Sequence, residues 1–373
     1  MASGARGEIF DPLQPGVYHC WNRFTRSLFL LGHVMQADGV RIHRMGFALS
    51  LQVTLAGLFC VDITSYATLD NHFHMIVRNR PDLRGRLSDR EVARRWIMLM
   101  RIKRNGRWIV AEPTEKEIDA QLRRPVQAGT RKPGAGTTRP PHPNRASELR
   151  ERLCDMSWLM GVFEECISRY VNRLDGTKGT CWEGAYQAKK LEDDTATLCC
   201  STYVDLNWIR AAKAKTPEDS TYTSIGERLR DLKRREKEGM SPEEAALEPD
   251  SWLSPVFLDE RLPINDPRLG MSSNGKRLSD KGYLSGIPLN SYINLVELVG
   301  RRMDGDDEGA IPEDLPPIFE RMGLQLEGFV HAVKNYETIF GRVVGKPEAV
   351  EAHAKANGRN WHWGISGCRE AFG

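Results

Sequence analysis

The chain has 373 residues, with 53 Lys and Arg against 50 Asp and Glu and a formal net charge of +3. This near balance gives no sign of nucleic-acid binding in the overall charge, so any such signal has to be local. The length and the hydrophobic fraction of 40% indicate a folded protein of two domains, or of one domain with extensions. No apolar run is long enough for a spanning helix, and the first residues lack a signal-peptide core, which favours a cytoplasmic protein.

Periodicity predicts a mixed unit in the first part of the chain. In chain order we expect strands over 16–21 and 27–31, a helix over 44–57, strands over 59–67 and 72–77, a helix over 158–173, a strand over 181–191 and a helix over 193–212. This order predicts an α+β fold in which helices cover one face of an antiparallel sheet.

A basic insert rich in Pro and Gly is predicted over residues 103–147. Between residues 120 and 147 it has six basic residues and no acidic one, namely Arg123, Arg124, Arg131, Lys132, Arg139 and Arg145. Such a segment is either a solvated loop or a contact to a DNA backbone. A highly charged helix or linker follows over 226–250, and residues 231–373 form a mainly helical C-terminal extension of unassigned role.

The sharpest local motif is Asn71-His72-Phe73-His74. On a strand, His72 and His74 point to one face and Phe73 points to the other. Two imidazoles on one face can share a divalent cation. Taken alone, however, the motif is more often just two half-exposed histidines on a strand.

A second motif lies in the last predicted helix of this part. Tyr203 and Asn207 are one helical turn apart and share a face. A tyrosine phenol has a pKa near 10 and is a poor nucleophile unless its electrophile is activated. A metal held by two histidines and an amide oxygen would activate a phosphate in this way, which suits transesterification through a phosphotyrosine. Taken alone, Tyr203 is a packing residue and Asn207 is bonded to the backbone.

Together with their neighbours, these motifs resemble a known family. The matching segments are Tyr18-His19, Trp21-Asn22-Arg23, the motif at 71–74, Trp182-Glu183-Gly184, and Tyr203-Val204-Asp205-Leu206-Asn207 with Ile209-Arg210-Ala211. In this order they resemble the HUH-type single-tyrosine transposases, and among them the REP-associated tyrosine transposase group, over about residues 15–230.

The resemblance implies a ferredoxin-like fold that cleaves and rejoins single-stranded or hairpin DNA at repeat ends through a 5′-phosphotyrosine. It implies Tyr203 as the nucleophile, and His72, His74 and Asn207 as ligands of Mg²⁺ or Mn²⁺. It further implies a monomer or homodimer that associates with the nucleoid when bound to DNA. The expected DNA contacts are Arg23, Lys189, Lys190 and Arg210, with Arg123, Arg124, Arg131 and Lys132 in the insert.

The chain departs from the family at two motif positions. Trp208 stands where the family usually has Pro, and Ala185 stands where it usually has Arg. Four alternatives follow from the residues. Tyr170, between two arginines, is a rival nucleophile, and Cys199-Cys200 with His72, His74 or Cys181 is a rival zinc site. The third alternative is a DNA-binding protein of the same fold that does not cleave DNA. The fourth is a metal-dependent hydrolase that uses water as the nucleophile, with Tyr203 in a structural role.

Overall fold

The computed structural model describes residues 9–35, 41–126, 142–241, 244, 252–257, 282–303, 312–360 and 362–373. The protein is a mixed α/β protein with a five-stranded sheet, a two-stranded sheet and a helical C-terminal region. Two compact units divide the chain. The first contains Met1–Gly16, Arg23–Val61 and Asn79–Ala185, and the second contains Val17–Asn22, Asp62–Arg78 and Tyr186–Gly373. The C-terminal region therefore belongs to the same unit as the strands of the large sheet, whereas we expected a boundary near residue 230.

The seven strands of the described residues are β1 (Gly16–Arg23), β2 (His33–Met35), β3 (Arg41–His43), β4 (Val61–Thr68), β5 (His72–Asn79), β6 (Gln187–Leu191) and β7 (Val343–Val344). Short 3₁₀ helices span Thr25–Ser27 and Pro81–Arg86.

The helices up to residue 237 are α1 (Arg44–Leu58), α2 (Asp89–Asn105), α3 (Glu115–Leu122), α4 (Arg145–Cys154), α5 (Met156–Asp175), α6 (Asp194–Asp205), α7 (Asn207–Arg210) and α8 (Ser224–Lys237). The C-terminal region adds α9 (Leu289–Met303), α10 (Leu315–Met322), α11 (Leu326–Lys334), α12 (Tyr336–Ile339), α13 (Pro347–Ala356) and α14 (Ile365–Phe372). Within the described residues, no helix is both long enough and apolar enough to cross a membrane.

The large sheet has the strand order β4-β5-β1-β6-β7. β1 runs antiparallel to β6, with Val17 opposite Leu191 and Trp21 opposite Gln187. β7 runs parallel to β6, with Lys190 opposite Val343. The sheet is therefore mixed rather than antiparallel, because the C-terminal region contributes an edge strand that the sequence periodicity did not predict.

The edge strand β4 is buried along its whole length and its neighbour β5 along most of its length, so their polar side chains need partners inside the protein. Asp62 on β4 accepts from Arg78 on β5, whose Nε and Nη2 lie 3.0 and 2.8 Å from Oδ2. Thr64 donates its hydroxyl to the Ile76 carbonyl at 3.4 Å. These bonds join β4 to β5, the strand on which the two histidines lie.

Helices form most of the first unit. α1 packs against α5, and α2 packs against α3, α4 and α5. The buried guanidinium of Arg44 donates to the Asp175 carboxylate at the end of α5 and to the Leu30 carbonyl at 3.0 Å. This ion pair ties the start of α1 to the end of α5, which is followed by Gly176 at φ 63°.

Most of the predicted elements are confirmed. The strands over 16–21, 59–67 and 72–77 and the helices over 44–57 and 158–173 all form, with bounds shifted by a few residues. The predicted strand over 27–31 is wrong, because Arg26 and Ser27 take positive φ angles of 57° and 53° that end any strand there. The strand predicted over 181–191 is confined to β6, preceded by an isolated bridge between Phe24 and Trp182.

Two further predictions need correction. The helix predicted over 193–212 breaks at Leu206 into α6 and α7. The insert predicted over 103–147 is not wholly irregular, because α2 continues to Asn105 and α3 spans Glu115–Leu122. A capping box between Thr114 and Glu117 starts α3, and this pattern was present in the sequence. Residues 127–141 of the insert lie outside the described residues.

Asp205 joins three helices of the second unit. It ends α6, is fully buried, and accepts hydrogen bonds from the Ser224 hydroxyl, from the Ile225 N–H at 2.9 Å and from the Tyr292 hydroxyl at 2.5 Å. Burial raises the pKa of Asp205, and the nearby Arg228 together with the three hydrogen bonds opposes that rise. The carboxylate thus fixes the end of α6 against the start of α8 and against α9.

We predict that Asp205→Asn lowers the free energy of unfolding by about 1–3 kcal/mol. The asparagine NH₂ group would replace one carboxylate oxygen, so at least one of the groups that donate to Asp205 would lose its acceptor. Urea unfolding followed by circular dichroism measures this change. Glu218→Gln, a change of the same type at an exposed residue of this unit, should leave the unfolding midpoint unaltered. Equal stability of both variants would contradict a joining role for Asp205.

Candidate functional site

His72 and His74 lie together on β5, as the alternation predicts. Their rings are 5.1 Å apart between centroids and nearly perpendicular, at 88°. His72 is half-buried and its Nδ1 lies 2.6 Å from the Asn71 side-chain oxygen. His74 is 3% exposed, and its Nδ1 lies 3.0 Å from Nε2 of His19. Each ring is therefore oriented through its Nδ1 by a neighbour, which makes Nε2 the atom that each would offer to a cation.

His19, which belongs to one of the matching segments but was given no role in the site from the sequence, lies within it. It lies on β1, the neighbour of β5 in the sheet, and its ring stacks on Trp21 at 4.8 Å and on His74 at 5.1 Å. Burial, with a further contribution from the charge of Lys189, holds the pKa of His19 well below 6.5. His19 is thus a neutral imidazole in the folded protein, and one ring of the His19–His74 pair donates to the other.

Tyr203 faces the same group from α6. Its ring lies 5.4 Å from the His74 ring at 85° and 6.0 Å from the His19 ring at 71°. On another side it stacks on Tyr336 of α12 at 4.7 Å. The side chain is 1% exposed. Two motifs from distant parts of the chain therefore meet inside the second unit.

The Tyr203 hydroxyl donates to Glu337 Oε1 at 2.5 Å. Burial, the charge of Glu337 and this hydrogen bond raise the pKa of Tyr203, while Asn207 and Arg210 oppose the rise. The phenol is therefore protonated at neutral pH. Glu337 itself is exposed, so the hydrogen bond lies at the boundary between the buried ring and solvent.

Asn207 opens α7, directly after the helix break at Leu206. It is 6% exposed, and its interaction with the phenol lowers the pKa of Tyr203 in part. The amide lies beside the Tyr203 phenol, and within the described part of the chain no backbone group accepts a hydrogen bond from its nitrogen. This differs from the packing alternative, in which the amide is bonded to the backbone.

The imidazoles of His74 and His19 and the amide of Asn207 thus lie around the Tyr203 side chain. Across the described ranges, no three His, Cys, Asp or Glu side chains converge on one metal position. Two histidine nitrogens with one amide oxygen would form a different donor set. Such a set fits a hard cation that takes its other ligands from water and a phosphate. His72, His74 and Asn207 are the residues that would hold it.

The three predicted DNA contacts of the second unit, Lys189, Lys190 and Arg210, differ in how far they are buried. Lys189 is buried, and its Nζ donates to the carbonyls of Tyr336 at 3.1 Å and Phe340 at 2.9 Å. Burial lowers the pKa of Lys189 to about 8. This placement contradicts the predicted DNA contact at Lys189. Lys190 is half-buried and pairs with Glu192 at 2.9 Å, whereas Arg210 is exposed and its guanidinium lies 5.1 Å from the centre of the Tyr203 ring.

The other predicted DNA contacts belong to the first unit or lie outside the described residues. Arg23, Arg123 and Arg124 are exposed residues of the first unit. Arg131 and Lys132 lie outside the described residues. Ala185, at the position where the family has Arg, is exposed.

The rival residues have different surroundings. Tyr170, also in the first unit, stacks on Phe47 at 3.8 Å and 5°, a packing contact, while the histidines and Tyr203 lie in the second unit. All eight cysteines are buried free thiols, and burial raises the pKa of Cys200 to about 12, which disfavours the thiolate that zinc requires. Trp208, in place of the family's Pro, donates its indole N–H to the Thr68 carbonyl at 2.8 Å.

Comparison of the sequence with known protein families finds no match, and comparisons with curated proteins and with solved structures find none either.

We predict that the folded protein loses stability as the pH falls below about 6.5, because His19 takes up a proton when unfolded but resists it when folded. The expected slope from this residue is about 1.4 kcal/mol per pH unit. His19→Gln keeps a polar side chain beside His74 and should flatten the slope, as measured by urea unfolding between about pH 5 and 7. His33→Gln, at an exposed histidine, should retain the wild-type slope. An unchanged slope in His19→Gln would contradict the buried neutral imidazole.

Proposed function

We propose that this protein is a metal-dependent transposase-type enzyme that cleaves and rejoins single-stranded DNA through a 5′-phosphotyrosine intermediate. The observation that supports this most is the meeting of Tyr203 with His74, at 5.4 Å between rings, beside Asn207. A lone phenol or a lone histidine pair has many structural uses. A phenol held against a histidine pair and a buried amide suits phosphoryl transfer better than packing alone.

The sheet supports a ferredoxin-like arrangement for the proposed enzyme. The chain order β1–α1–β4–β5–α5–β6 is the strand–helix–strand–strand–helix–strand order of that fold. The strand order β4-β5-β1-β6 places the first and third of these strands side by side at the centre. In this proposal β2 and β3, the insert and β7 are additions to the common core.

The proposed reaction uses the phenolic oxygen of Tyr203 as the nucleophile. It forms a bond to the scissile phosphorus, the bond from phosphorus to the 3′ oxygen breaks, and that oxygen leaves as a hydroxyl. A cation held by His72, His74 and Asn207 would offset negative charge on the phosphate oxygens. Because the phosphoester bond is retained on Tyr203, attack by a 3′ hydroxyl would rejoin the strand without ATP.

The substrate we propose is single-stranded or hairpin DNA at repeat ends, bound in the cytoplasm by a monomer or homodimer. Arg210 is the basic residue best placed to meet its backbone, since it is exposed and lies over the Tyr203 ring. Lys190, Arg23, Arg123 and Arg124 are the other proposed contacts. A second candidate function, DNA binding without turnover, is favoured by the low exposure of Tyr203, and detection of a covalent adduct separates the two.

We predict that Tyr203→Phe abolishes the covalent protein–DNA adduct formed with single-stranded DNA and Mn²⁺, because the attacking oxygen is lost. A denaturing gel with labelled DNA detects the adduct. The variant should retain DNA binding and lose about 1 kcal/mol of stability with the hydrogen bond to Glu337. Tyr170→Phe is the matched control and should form the adduct normally. Loss of the adduct in Tyr170→Phe alone would reverse the assignment.

We predict that Asn207→Ala raises the Mn²⁺ concentration needed for half-maximal adduct formation by about 10–100-fold, as expected when a metal site loses a supporting group. Titration of Mn²⁺ in the adduct assay measures this shift, and a thermal melt without metal reports on folding. A variant that melts early but keeps its metal dependence would make Asn207 a packing residue.

A further inference from the structure

A carboxylate of the C-terminal region lies at the hydroxyl that the proposed chemistry needs. Tyr203 is 1% exposed and is covered by His74 at one edge and by Tyr336 on one face. Its hydroxyl donates at 2.5 Å to Glu337, which is exposed. The Glu337 side chain therefore stands between the phenol hydroxyl and solvent.

This position conflicts with that of a phosphodiester under attack by Tyr203. Reacting atoms approach to about 3–3.5 Å before bond formation. The Glu337 carboxylate already occupies that space at the hydroxyl. Both groups are anions, so repulsion adds to the steric conflict. A DNA strand reaches the hydroxyl only after the carboxylate has moved away.

The backbone that carries Glu337 is firmly held. Lys189 donates to the carbonyls of Tyr336 and Phe340, which lie on either side of Glu337 in the chain. Tyr336 is fully buried, and β7 pairs with β6 a few residues later. The movement that opens the hydroxyl is therefore a rotation of the exposed Glu337 side chain and not a displacement of the C-terminal region.

We propose that Glu337 is an autoinhibitory gate on Tyr203, closed until the phosphate backbone of single-stranded DNA displaces its carboxylate. The inference rests on the proposed role of Tyr203 as the nucleophile. It makes the C-terminal region a regulator of the site, because the gate and the main chain that Lys189 holds in place both come from residues 336–344. The competing role for Glu337, acceptor of the phenolic proton, predicts the opposite effect of its removal.

The first test compares rates of adduct formation with single-stranded DNA and Mn²⁺. Glu337→Ala removes both bulk and charge and should form the adduct about tenfold faster than the wild type. Glu337→Gln removes only the charge and should give a smaller increase. Glu327→Ala, at an exposed carboxylate of α11, is the control and should react at the wild-type rate. A slower reaction in both Glu337 variants would show that the carboxylate takes part in proton transfer and would overturn the gate.

The second test needs neither DNA cleavage nor metal. N-acetylimidazole acetylates accessible tyrosine hydroxyls, and mass spectrometry of the peptide containing Tyr203 measures the extent. Glu337→Ala should increase acetylation of Tyr203 several-fold over the wild type and over Glu327→Ala. Equal protection in all three proteins would overturn the gate. Increased acetylation without an adduct in any variant would support closure of the phenol by Glu337 while contradicting the proposed function.

Discussion

The surroundings of Tyr203 depend on one buried ammonium group. Lys189 on β6 is almost fully buried, and its Nζ donates to the carbonyls of Tyr336 and Phe340. A buried cation without such partners would be strongly destabilising, so these two bonds hold the chain at 336–340 against β6. Because Tyr336 and Glu337 are held there, both contact Tyr203. The same ammonium also contributes to the low pKa of His19.

Local periodicity was sufficient for the parts of the site that lie within one element. The two-residue alternation of β5 put His72 and His74 on one face, and the helical repeat put Tyr203 and Asn207 one turn apart. Even here the prediction was only approximate, because the helix breaks at Leu206, between Tyr203 and Asn207. The relation of the two motifs to each other rested on a resemblance and not on periodicity.

Long-range contacts account for what the sequence did not predict. His19 joins the site because β1 is the neighbour of β5, and strand order cannot be derived from spacing along the chain. Lys189 looked like a DNA contact because charge alone does not reveal burial. Trp208, a departure from the family pattern, has a structural explanation in its hydrogen bond to the Thr68 carbonyl at the end of β4.

Through the edge strand β7 and the residues before it, the C-terminal region supplies part of the surroundings of Tyr203. A protein that kept the motifs at 71–74 and 203–207 but changed residues 336–344 would retain the histidines and Tyr203 and lose the contacts that surround Tyr203 here. The presence of the two motifs therefore does not by itself determine which residues surround Tyr203. Substitutions in the last third of the chain are coupled to Tyr203 through the main-chain bonds of Lys189, so the two regions are expected to change together during evolution.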